Sequence, residues 1–362
     1  MTATEVRHRP SAPGGPAAAE WARSWVTPIA LFLALTAVAV PVAAVSNGLR
    51  ATVIVAIINV VLTVGLYVFV GNSGVYSFGQ LGFAVVGAYV GSLAAMPATL
   101  KETLLPKSPG IVRALSLPPT AAVVLGGVCA AVVAAVVAAP VSRLGGLSAG
   151  LATVSLLIAM RVLATNWSEV TKGAAGLSSN VTATDLPTVL AWALVVLLAA
   201  WAFQRSSWGR QLRATKADEV AAAAAGINTA RLRGVAFIVS GFISGVGGAL
   251  FAMLNGSVSP NMFYLDYTFL VIAMLVIGGA DSLTGAVAGS ALVSAISAVF
   301  SSVEQGSVLG LFQVPALPGI ATTALGVLLV VILIVRRDGL TGGRELGLPA
   351  RRTIIDHEGK QR

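Results

Sequence analysis

The sequence predicts an all-α polytopic membrane protein of about ten transmembrane helices, some broken or short, with both termini cytoplasmic. Three observations carry this prediction. Of 362 residues, 56% are apolar and only 10% are charged, and the mean hydropathy is +0.89. An ordinary soluble domain is about 25% charged, so this chain has too few charges to cover a soluble surface. Its apolar content equally excludes a disordered chain. The apolar residues fall into runs, and ten spans of about 20 residues account for nearly all of them. Finally, the basic residues are distributed unevenly between successive loops.

Residues 1–25 are rich in Ala and Pro and read as a disordered cytoplasmic tail. The run Val26 to Val45 follows. Val42-Ala43-Ala44 resembles a cleavage region, but 20 residues exceed a typical signal core, which favours an uncleaved first span. Further runs lie at about 51–70, 75–95, 118–140, 147–164, 187–204, 233–254, 266–279, 286–304 and 319–335. The third begins in a Gly-rich stretch and the eighth is short; such segments mark broken helices that line transport paths. The spans define a membrane domain over 26–335, with a hydrophilic loop at about 205–232, and a basic cytoplasmic tail over 336–362.

With ten spans and the N-terminus inside, the inner segments hold 17 Lys and Arg residues. The outer segments hold five: Arg50, Lys101, Lys107, Arg113 and Lys172. That asymmetry obeys the positive-inside rule and explains the net charge of +9 without nucleic acid. Arg161 alone lies inside a span, either snorkelling to the outer interface or serving a structural or substrate-facing role. The pairs Gly87/Gly91, Gly241/Gly245 and Gly285/Gly289 have the G-x-x-x-G spacing that lets helices approach in lipid. With 39 glycines, some such pairs also arise by chance.

Absences narrow the chemistry. No G-x-x-x-x-G-K-[ST] phosphate loop occurs, so ATP, if used, is bound by another chain. Gly71-Asn72-Ser73-Gly74 has the G-x-S-G of an intramembrane serine protease. Both histidines, His8 and His357, lie outside the spans, so no membrane base is present to activate the serine. No catalytic or metal site is expected. Asp266, Asp281 and Glu304 sit only at span ends, which argues against proton coupling.

The most specific feature is the interior loop. Asp218 and Glu219 precede five alanines and Gly226-Ile227-Asn228. The two acids favour the positive end of a helix dipole, alanine propagates the helix, and Gly226 terminates it. The expected product is a short exposed helix with a small apolar face, suited either to a partner's groove or to simple solvation.

This loop resembles the coupling loop of ABC importer permeases. The chain is similar, over about residues 50–335, to the branched-chain amino-acid ABC permease family, M-type subunit. Gly71 to Tyr89, Asn166-Trp167 with Val170 to Leu177, Ser207 to Asn228, and Ser259-Pro260, Phe263 with Gly278 to Gly289 resemble four family signatures in order. Departures stand at Gln80, Lys172, Ala174, Ala175, Val220, Asp281 and Ala286. They bear on the substrate, and a urea or amide permease of the same superfamily is the alternative reading.

The resemblance implies an importer in the plasma membrane without a cofactor of its own. Its partners would be a second permease subunit, two ABC ATPase subunits that bind ATP, and an extracytoplasmic solute-binding protein. It implies ATPase docking at Asp218, Glu219, Ala223 and Gly226, with Arg210, Arg213 and Lys216 as flanking contacts or as topology determinants. Candidate path residues are Tyr76, Ser77, Gln80 and Asn166. Tyr76 and Gln80 share a face if their segment is helical, and interhelical hydrogen bonding is the alternative role. The rival classes are an ion-coupled secondary transporter acting alone and a membrane scaffold.

Overall fold

A computed structural model describes residues 25–179 and 181–304, with short stretches at 307–308, 312–313, 319, 323, 326–327, 339–343 and 345. The expected N-terminal tail (apart from Trp25), the span at 319–335 and the C-terminal tail lie almost wholly outside these residues.

The first helix, α1 (Val26–Val45), lies on the periphery, with less than a quarter of its apolar window buried. It leans on α2 (Asn47–Ser73). Ser46 separates the two and caps α2, its Oγ accepting the Leu49 amide at 3.2 Å. Because α2 is apolar on all sides, it must be covered on all sides, and 89% of its window is buried. It ends at Gly74, whose φ of +71° suits glycine.

Val75 to Gly79 are not helical, so the third span starts at Gln80 rather than at 75. This corrects the expectation that Tyr76 and Gln80 share a helical face. The third span, α3 (Gln80–Ala95), breaks by 115° into α4 (Ala98–Leu104). Pro97 explains the bend, since proline disfavours a helical residue before it. A strap with α5 (Gly110–Ala114) returns the chain, and the Leu117 amide donates to Ala94 O at 2.9 Å.

Helix α6 (Pro119–Val141) opens with proline, whose missing amide proton is harmless there. Helix α7 (Gly146–Asn166) leads into α8 (Ser168–Thr171), a 3-10 turn (Gly173–Ala175) and β1 (Leu177–Ser178). After α9 (Leu186–Arg205) come α10 (Ser207–Ala217), α11 (Glu219–Ala224) and α12 (Thr229–Asn255). Then β2 (Ser257–Val258) pairs antiparallel with β1, Leu177 opposite Val258. Helices α13 (Leu265–Gly278) and α14 (Leu283–Glu304) complete the bundle, and β3 (Ser307–Val308) pairs with β4 (Phe312–Gln313).

Among the described residues, seven helices are long and apolar enough to cross a membrane, or eight with the bent α3–α4 pair. Helix α13, at 14 residues, is about 21 Å long, short of a hydrocarbon core of about 30 Å. The protein is an all-α, multi-pass membrane protein.

Helix α12 is the hub, packing on α6, α3 and α2. Backbones touch where it crosses α3. A methyl group added at Gly87 would meet the Gly245 carbonyl, one at Gly248 the Ala84 carbonyl, and one at Gly91 would lie 2.7 Å from Ala249 Cβ. The G-x-x-x-G pairs are therefore packing sites, as are Gly285 and Gly289 where α14 meets Gly278. Beside the crossing, Phe69 and Phe83 both stand edge-on to Phe237, at 5.2 Å.

The five basic residues expected outside belong to one end of the bundle, where Arg50 faces Asp185 at 3.9 Å and β1 meets β2. Arg161 sits towards the same end, its Nε donating to Asn261 Oδ1 at 2.8 Å under the Tyr264 ring. The opposite end carries Arg143 and the basic loop 205–233. Charge and fold thus separate the same two ends.

Candidate functional site

The loop between α9 and α12 folds into two short helices because of two capping residues. Ser206 Oγ accepts the Gly209 amide at 3.1 Å and starts α10. On α10, Leu212 and Thr215 face inward and are buried, while Arg210, Gln211 and Ala214 face out. Asp218 then leaves helical geometry, and its Oδ1 accepts the Val220 and Ala221 amides, each at 2.9 Å. A carboxylate there satisfies two orphan amide protons and favours the helix dipole. Gly226, at φ +81°, ends the segment, with its amide on Ala223 O at 2.9 Å. Asn228 Oδ1 caps α12 through the Arg231 amide at 3.0 Å.

Asp218, Glu219, Ala223 and Gly226 therefore come together on one exposed knuckle, as the sequence suggests. Only Ala222 of α11 is buried, and Val220 is 81% exposed. The surface offered is small and fixed in shape, with Val220 and exposed alanines beside the Asp218 and Glu219 carboxylates.

The basic residues do something the sequence does not reveal. Arg210 Nη1 donates to Arg205 O at 2.6 Å, and Arg213 Nη2 to Gln204 O at 2.8 Å. Both satisfy free carbonyls at the C-terminus of α9, where cations are favoured. Lys216 Nζ donates to Gly71 O at 3.1 Å and to Asp281. It thus ties α10 to the end of α2 and to the turn between α13 and α14. Glu219 Oε2 accepts from Arg233 Nη2 at 3.1 Å, and Arg233 is nearly buried. That pair fixes α11 to the first turn of α12.

A further member of this end, Glu345, was missed by motif reasoning. Its Oε1 accepts the Leu283 amide at 2.9 Å and Gln204 Nε2 at 3.1 Å. Its Oε2 accepts the Thr284 amide at 3.1 Å and Thr284 Oγ1 at 2.8 Å. One carboxylate caps α14 and reaches α9. No local signal announces it, because its partners lie at least 61 residues away.

The four path candidates do not form one cluster. Ser77 and Gln80 are buried beside the α2–α3 turn, and Ser77 Oγ, Gln80 Oε1 and Gln80 Nε2 find no hydrogen-bond partner among the described residues. Buried polar atoms ordinarily pair with protein, water or a ligand, and Tyr89, Ser92 and Ser244, among others, share this state with Ser77 and Gln80. Tyr76, half exposed, is next to them in the chain. Asn166 is elsewhere: its Nδ2 donates to Val162 O at 2.8 Å at the end of α7. Gly79 abuts Thr153, so Asn166 lies about 20 Å further along the α7 axis.

Residues 48–336 match the family described as branched-chain amino acid transport system / permease component. The high-affinity branched-chain amino acid transport system permease protein LivM of Escherichia coli is 27% identical over 272 residues, covering 66% of this chain and 60% of LivM. LivM of Salmonella typhimurium is 27% identical over 276 residues with the same coverage. The autoinducer 2 import system permease protein LsrC of an Enterobacter species is 30% identical over 177 residues, covering 48% of this chain and 50% of LsrC. The chain spans 60% of the length of the two LivM relatives. No solved structure matches it. With some four-fifths of its length matched, the chain belongs to the branched-chain amino acid transport permease family, whose members are membrane transport proteins and not enzymes.

Proposed function

We propose that this chain is the transmembrane permease subunit of an ATP-binding-cassette importer for branched-chain or other apolar amino acids. A second permease subunit, two ATPase subunits and an extracytoplasmic solute-binding protein would complete the assembly. The single observation that carries this reading is the capped knuckle at Asp218–Gly226, exposed outward and braced inward.

The bracing explains how force is transmitted. Closure of the ATPases on bound ATP presses the face of Val220 and Ala223. Glu219–Arg233 passes that displacement to α12, and Lys216 passes it to α2 and the α13–α14 turn. Helices are stiff, so the motion proceeds as rigid-body rearrangement and alternately opens two ends of a path. Ser77 and Gln80, buried beside the α2–α3 turn without partners among the described residues, support placing the inner part of that path there, with Tyr76 beside them. Asn166 then belongs to its opposite mouth. An apolar amino acid needs no deep charge well, which agrees with the absence of an Asp or Glu among the buried residues described.

Replacing Glu219→Ala together with Gly226→Val tests the reading. Membrane insertion stays intact and recovery of the ATPase on co-purification falls at least tenfold. Unchanged co-purification, or ion-driven uptake by this chain alone in proteoliposomes, would overturn it.

A further inference from the structure

At the end opposite the knuckle, α2 and α14 part to leave an open cavity of about 560 Å³. That volume is within the usual range for small-molecule sites. It reaches from Gly48 down to Asn59, a depth of about 16 Å along α2, or half of a hydrocarbon core. Its floor is a hydrogen-bonded trio. Asn59 Nδ2 donates to Ser294 Oγ at 2.9 Å, and the Tyr267 hydroxyl of α13 donates to Asn59 Oδ1. Asn59 and Ser294 are buried.

The wall above this floor is unusual for a membrane helix. Ser294, Ser297 and Ser301 are spaced three and four apart and line the cavity as one face of α14. A serine facing lipid ordinarily returns its proton to a carbonyl of its own helix. Ser302 does so, on Ala298 O at 2.9 Å. Ser297 and Ser301 have no hydrogen-bond partner among the described residues. Ser46, Thr52, Ser302 and apolar residues complete the wall, and among the described residues no charged side chain lines it.

This composition selects an occupant from both directions. A solute of net charge would lose hydration with no countercharge, at high cost. A purely apolar solute would leave the two hydroxyls unpaired. We propose that this chamber is an outward-facing solute site for small molecules with polar groups but no net charge, neutral amino acids in their zwitterionic form included, and that Asn59, Ser294 and Tyr267 form its closed floor. The solute class rests on the import reading above, whereas the chamber's access to water does not.

Single cysteines test it in the full chain within the assembled transporter in proteoliposomes, with the native thiol removed by Cys129→Ser. Ser297→Cys and Ser301→Cys report the chamber. Leu292→Cys and Val299→Cys report exposed positions of α14 that do not line it. With a charged, membrane-impermeant methanethiosulfonate, the two chamber thiols react at least tenfold faster than the other two. Millimolar L-leucine slows the Ser297→Cys reaction at least threefold, and L-glutamate does not. Equal rates at all four positions would make the groove a lipid-facing surface and overturn the proposal. Chamber thiols that react in the isolated chain but not in the assembly would overturn it in favour of a partner helix. Fast labelling indifferent to L-leucine would overturn the solute site. None of these readouts depends on ATPase co-purification, so this proposal and the coupling assignment fail separately.

Discussion

Asp218 shows how one side chain sets the shape of the loop. It ends α10, starts α11, and its carboxylate holds two amide protons at once. Asp218→Ala should cost about 1 kcal/mol of local stability, read as several-fold faster hydrogen exchange at Val220 and Ala221, while Asp218→Asn should retain most of the protection. This residue, with Glu219 and Gly226, was legible in the sequence because capping acts over three or four residues. The roles of Arg210, Arg213 and Lys216 were not. Expected as flanking contacts or topology determinants, they also bond within the chain, Lys216 to a carbonyl 145 residues away. Arg161 is similar, because its partner Asn261 lies 100 residues along the chain.

At the scale of elements, two contacts decide how helices sit together. Where α3 crosses α12, Gly87 and Gly245 leave no room for a side chain. Gly87→Leu must separate the helices, and overpacking of this kind costs about 1–3 kcal/mol or more. The expected outcome is a lower thermal midpoint and loss of monodisperse protein in detergent, with Gly234→Ala on the same helix as a control, since a methyl group there meets its nearest neighbours only at 3.9 Å. The second contact is Glu345 at the start of α14. Glu345→Ala removes the acceptor of the Leu283 amide and the link from α14 to Gln204, at about 1–3 kcal/mol, and should speed proteolysis of the α13–α14 turn. The nine predicted spans that fall within the described residues each overlap a helix, seven or eight of which are long and apolar enough to cross, because length and apolarity are local properties. The third span begins later than its apolar run, since residues 75–79 are largely apolar yet not helical.

Across the whole molecule, the two ends carry different basic content, and the fold sorts the same residues that the alternation of spans does. Lys172→Cys and Ala223→Cys, in a Cys129→Ser background, should therefore be labelled by an impermeant thiol reagent from opposite sides of a sealed vesicle. Labelling of both from one side would refute the topology. Membrane residence, helical class, the approximate spans and the capped knuckle were determined by the sequence alone, since each depends on hydropathy or on hydrogen bonds reaching a few residues. Which glycines touch, where the basic side chains are tied, that Ser77 and Gln80 are buried without partners among the described residues, and that Asn59 meets Ser294 and Tyr267 were decided only by the tertiary structure. Those are meetings of residues up to 235 positions apart, and no local periodicity encodes which two faces of two helices will pack.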